Sequence, residues 1–195
     1  MKSIGKSLVV TAVGALVLSG CSSIHLPGSN GDAKPAATVG GATMPTLKPV
    51  VSEEVAWVQT MLGSSTQSAQ IAHLAATNTA NPAIQTIGAG IESSQNLDMQ
   101  IMQSWLATWK ADEGQPVALS GALTSAQLTT LTGARDAAFD QSWTAALLAS
   151  HKGQLAAIEQ FKPLTTNTQI LKYIRSQEEI LNAEINQLVD LAASE

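Results

Sequence analysis

The sequence predicts an all-α protein, an antiparallel four-helix bundle built from two repeated helical hairpins. Three observations predict it. From Ser52 onward apolar residues recur at steps of three and four, most clearly in Gln95–Leu106, where Met99, Met102 and Leu106 lie beside Trp105 and Trp109. Helix-ending signals at Asn81-Pro82 and Pro163 cut this periodicity into hairpins. The second half then repeats the first at an offset of 86 residues, Trp57 matching Trp143. No stretch alternates convincingly as a strand would.

The chain begins with residues that the fold does not need. Met1–Gly20 has Lys2 and Lys6, the apolar run LVVTAVGALVL, and then Leu18-Ser19-Gly20-Cys21. That order is a secretory signal, and the run is too short for a comfortable membrane span. Cys21 is the only cysteine, so no intrachain disulfide can form. Leu-Ser-Gly-Cys resembles the bacterial lipobox, which implies lipidation of Cys21 and cleavage before it. Losing Lys2 and Lys6 moves the net charge from −5 to −7, against nucleic acid as a partner. Residues 21–51, rich in Gly, Pro, Ser and Thr, read as a flexible tether. The bundle domain is assigned to 52–195.

The first helix starts at Ser52 with Glu53 and Glu54 in its first turn, where the helix dipole favours acids. Val55, Val58, Met61, Leu62, Ser65, Ala69, Ala72 and Ala76 mark its inner face, and Asn78–Asn81 ends it. Asn81 caps a second helix with Pro82 at its first position, running to about Lys110. Asp112–Ser120 is a loop. Thr124 and Gln127 form a capping box for a short helix, Ser125–Leu131. The third long helix, about Arg135–Gln160, carries Phe139, Trp143, Leu147, Ser150, His151, Gln154, Ile158 and Phe161 near one stripe. Thr166 and Gln169 are expected to cap the fourth, about Asn167–Ala193, whose stripe is Ile170, Ile174, Gln177, Leu181, Glu184, Leu188 and Leu191.

The repeat carries a polar layer into the middle of the bundle. It pairs Ser64-Ser65 with Ser150-His151, and Asp98 with Glu184. Acids and an imidazole on apolar faces need partners. His151 is expected to bond Glu184, and Ser65 to bond Asp98. Bundle interiors with inward carboxylates and imidazoles also hold metals, so His151, Asp98 and Glu184 are candidate ligands. The other reading makes the methionines core filler and His151–Glu184 a register-fixing pair. His73 reads as a surface residue, and the tryptophans as packing between helices.

At these residues the chain resembles the domain of unknown function 305 family. Gln95-x-x-Asp98-Met99-x-x-Met102-x-x-Trp105-Leu106 is similar to that family's repeated helix motif, and Ser150-His151 and Glu184-Ile185 stand at its second copy. The resemblance implies a ferritin-like bundle, a secreted or membrane-attached setting, and in some members copper binding through His and Met. This chain departs there. Ser64-Ser65 replaces the first His-His pair, Ser150 replaces one His of the second, and Leu147 and Leu188 replace Met. What remains of the ligand set that the resemblance implies is Met61, Met99, Met102, His151, Asp98 and Glu184, and thioethers with an imidazole suit Cu(I). No nucleophile has an evident base, no Gly-rich phosphate loop occurs, and the Glu-x-x-His motifs of di-iron enzymes are missing. The expectation is a membrane-anchored extracytoplasmic lipoprotein with a non-enzymatic binding role, held through Cys21, with a possible protein partner and no cofactor. The alternative is envelope copper handling at a reduced, weak site.

Overall fold

The computed structural model describes residues 50–194, and among them the only regular structure is helix, without strands. The signal, Cys21 and most of the tether lie outside the described residues. The elements are α1 (Ser52–His73), α2 (Ala75–Asn78), α3 (Pro82–Trp109), α4 (Ser125–Gly133), α5 (Asp136–Phe161), a 3-10 turn (Lys162–Leu164) and α6 (Thr168–Ser194). The bundle is α1 with α2, then α3, α5 and α6.

Two expectations at helix ends are corrected. The first helix breaks at Leu74 before the short α2. The break shifts the inward face by one position, so Ala75 is buried and Ala76 exposed. The cap of α6 is Asn167, one residue later than expected, because the helix starts at Thr168 and the Asn167 Oδ1 accepts from the Gln169 and Ile170 amides at 3.1 and 3.5 Å. Asn81 caps α3 in the same way, accepting from Ala83 at 3.0 Å. Two residues before each cap a threonine hydroxyl accepts the Asn amide, Thr79 at 3.0 Å and Thr165 at 3.1 Å. The 86-residue repeat thus extends to the hydrogen bonds of both hairpin turns.

The halves pack antiparallel. Trp57 stacks on Phe161 with centroids 4.6 Å apart, Ser68 meets Ser150, and the Trp143 Nε1–H donates to the Ile71 carbonyl at 2.8 Å. As numbers rise along α1 they fall along α5. Helices α3 and α5 therefore run in the same direction, and the connection 110–135 must travel the length of the bundle. It does so along α1. The Gln59 amide donates to the Asp112 carbonyl, Gln67 exchanges hydrogen bonds with Leu123, and the Asn78 amide donates to the Thr132 and Ala134 carbonyls. Glycines make room for this strap. A Cβ on Gly63 would collide with the Pro116 ring, and one on Gly153 with the Ser120 carbonyl.

The core has two apolar clusters. One, at the end where the chain enters α1, holds Trp57, Met61, Met102, Trp105, Phe161, Tyr173 and Ile174. The other, at the far end, holds Ile71, Ile84, Ile91, Phe139, Trp143, Leu147 and Leu188. Trp57 and Trp143 fill matching places at opposite ends. Their hydrogen bonding differs: Trp57 Nε1 is buried without a partner.

Candidate functional site: the buried polar layer

Between the apolar clusters lies a layer of buried polar side chains. The sequence puts them there because the helical period returns Ser65, Ser68, Gln95, Asp98, Ser150, His151, Gln154, Gln177 and Glu184 to inward faces, and all are buried. Across α1 and α5 the Ser68 and Ser150 hydroxyls lie 2.8 Å apart. Gln154 Nε2 donates to Ser64 Oγ at 3.1 Å and faces Gln95 Oε1 at 3.4 Å. Across α5 and α6 His151 Nε2 is 2.8 Å from Glu184 Oε2. Across α3 and α6 the Ser94 hydroxyl donates to Glu184 Oε1, and Gln177 Nε2 donates to Asp98 Oδ1, each at 2.6 Å. The Tyr173 hydroxyl stands near enough to Asp98 to stabilise its carboxylate.

This arrangement sets the charges. Burial pushes Asp98 up from 3.8 to about 7, the nearby Glu184 carboxylate adds to the rise, and the Tyr173 and Gln177 hydrogen bonds oppose it. Burial also pushes the Tyr173 hydroxyl up, and the charge on Asp98 and its hydrogen bond push the same way. With Glu184 accepting on both oxygens, His151 presents its N–H at Nε2, leaving Nδ1 buried without a partner. Gln95 Nε2 and Thr144 Oγ1 are likewise buried without partners. Such groups weaken the layer, because each gives up water without recovering a hydrogen bond.

The predicted site residues separate into groups. His151 and Glu184 meet as expected, and Asp98 lies within electrostatic reach of Glu184. The expected Ser65–Asp98 pair does not form. Asp98 Oδ1 is taken instead by the amide of Gln177 on α6, a side chain that carries its donor three bonds beyond Cβ where serine carries it one, and Tyr173 stands beside it. Met61 and Met102 pack in the entry-end cluster. Met99 points to a groove between α1, α3 and α4, with the Thr66 hydroxyl 3.2 Å from its sulfur. Among the described residues no three His, Cys, Asp or Glu side chains group as metal ligands. His151 Nε2 is held by Glu184, Met99 is half-buried between the entry-end cluster and the groove, and serines stand at the first His-His position, so these residues do not fit a closed copper site. His73 is a surface residue paired with Glu92 at 3.0 Å. Sequence reasoning missed Tyr173, Ser94 and Ser68. Tyr173 stands one turn before Gln177 and Ser94 beside Gln95, and that spacing is the signal each carried.

The sequence signature "Domain of unknown function (DUF305)" matches residues 54–192. The chain belongs to the DUF305 family. The match spans the bundle from the first turn of α1 almost to the end of α6. The structure is similar to a DUF305 protein of Streptomyces coelicolor described as secreted, with a TM-score of 0.67, 15% identity, and 73% of this chain and 91% of that one covered. It is also similar to a DUF305 fragment of Deinococcus radiodurans, with a TM-score of 0.69, 18% identity, and 76% and 100% covered. At such identities the likeness is one of fold. No curated protein matches the chain.

Proposed function

We propose that this DUF305 protein is a lipid-anchored lipoprotein of the extracytoplasmic face whose bundle is a non-enzymatic binding module. The observation that carries it is Leu18-Ser19-Gly20-Cys21 after a basic, apolar leader, followed by a Gly/Pro/Ser/Thr-rich stretch leading to the bundle. A secreted description of a structural neighbour supports the location. Among the described residues no helix is long and apolar enough to cross a membrane, so attachment would fall to Cys21. One acyl chain anchors only marginally, and a multiply acylated cysteine holds firmly. The non-enzymatic reading rests on the polar layer, whose acids and imidazole spend themselves on one another. The partner on this reading is a protein or another component of the envelope, met by the outer helical faces.

The test is expression of the full chain in a bacterium beside Cys21→Ala. The wild type should fractionate with membranes and carry an acyl mass on Cys21, and the variant should be released. A wild type without acyl mass, together with a variant that stays in the membrane fraction, would sink the reading.

A further inference from the structure

We infer that the entry end of the bundle lies against the lipid surface, with Val51 and Leu164 entering the headgroup region and Trp109 at its border. The inference rests on the lipid-anchored reading. Glu54 builds this end. Its carboxylate accepts from the Val51 amide at 3.3 Å on one oxygen and from the Thr165 hydroxyl at 2.6 Å on the other. One buried side chain thereby ties the incoming chain to Thr165, just after the Lys162–Leu164 turn, so that Val51 and Leu164 share one end of the bundle. Both are exposed, by 45% and 72%. Trp109, half-buried, ends α3 at the same end, stacked on Trp105 of the entry-end cluster.

The internal repeat supplies a control. At an offset of 86, Val51 matches Ala137, Pro163 matches Thr77, and Leu164 matches Asn78. The two ends use these positions differently: Asn78 is buried and donates to the Thr132 and Ala134 carbonyls, whereas its counterpart Leu164 is exposed. An exposed leucine is therefore not something the repeat itself calls for. Glu54 matches Asp140, whose Oδ1 is buried without a partner, so the tie exists at the entry end only. Exposed valine and leucine with a bordering tryptophan is the chemistry of a membrane-interface contact.

Tether length selects the occupant. Cys21 and Val51 are 30 residues apart, and a chain of that length reaches at most ~100 Å. A lipidated Cys21 would keep this end close to the bilayer, where even a weak apolar contact is occupied. Lys110 and Lys162 lie here together with Glu53, Asp112 and Glu113. The signs are mixed, so the contact is apolar in origin and an uncharged bilayer suffices.

The experiment uses the full lipidated chain in phosphatidylcholine vesicles whose acyl chains carry bromine near the headgroup. Vesicle flotation reports anchoring, and tryptophan emission reports contact. Trp57, Trp105 and Trp143 are buried, so quenching should arise from Trp109 and fall several-fold in Trp109→Phe. Val51→Asp with Leu164→Asp should abolish it while helical circular dichroism is unchanged. Co-flotation with unquenched emission overturns this inference and leaves anchoring intact. Failure to float overturns both.

Discussion

Asp98 makes the stability of the bundle fall as pH rises. The folded protein holds the Asp98 proton up to about pH 7, against a reference value of 3.8. The folded state then binds more protons than the unfolded state between these values, so unfolding free energy declines across that interval and levels off above it. Taking 1.36 kcal/mol per unit, the penalty is roughly 1–2 kcal/mol at pH 5 and roughly 4 kcal/mol at pH 8. Asp98 therefore removes about 2–3 kcal/mol between those two conditions. Asp98→Asn is neutral at both, and its amide oxygen can still accept from Gln177. Urea unfolding of both proteins at pH 5 and pH 8 measures the difference of differences, in which titrating groups not coupled to Asp98 cancel. Wild type should lose about 2–3 kcal/mol more than the variant. Parallel pH dependence of the two proteins would refute the assignment of a neutral, buried Asp98.

Trp143 is fully buried and bonded to the Ile71 carbonyl, so Trp143→Ala should cost roughly 3–5 kcal/mol in urea unfolding. Gly153→Ala drives a methyl into the Ser120 carbonyl and should lower Tm and expose 111–124 to protease. Gly90→Ala meets nothing within 4 Å and should stabilise α3 by about 0.5–1 kcal/mol. His151→Ala strips Glu184 Oε2 of its donor and should cost about 1–3 kcal/mol. Titration of the purified protein with Cu(I) should show at most weak binding. A submicromolar affinity abolished by His151→Ala would instead establish copper handling.

The helices and their inward faces were legible because the period of 3.6 is strong in this chain. The stripes predicted for α5 and α6 are buried residue for residue. The repeat was legible because Trp57/Trp143 and Asn81/Asn167 need no gap to align, and taken one step further it would have named Asn167 as the cap. Periodicity does not report a one-residue break, which is why Leu74 and the shift from Ala76 to Ala75 escaped it. The polar layer was legible as a set of residues but only partly as a set of bonds. Which partner a buried Asp98 takes depends on side-chain reach, and Tyr173 and Gln177 extend farther than a serine. That α5 runs antiparallel to α1 depends on the path of the strap, which no local pattern records.

The strap also fixes the order in which the molecule can assemble. Contacts inside each hairpin close short loops: His73 and Glu92 are 19 residues apart, and His151 and Glu184 are 33. Contacts between hairpins close far longer ones, 79 residues for Asp98 with Gln177, 82 for Ser68 with Ser150 and 111 for Glu54 with Thr165. Loop-closure entropy grows with length, and distant contacts wait for local ones. Each hairpin can therefore zip early, exposing an apolar stripe that only the other can cover. Docking of the two halves is the step that hides both stripes, and the polar layer, drawn from all four helices, is completed by that step.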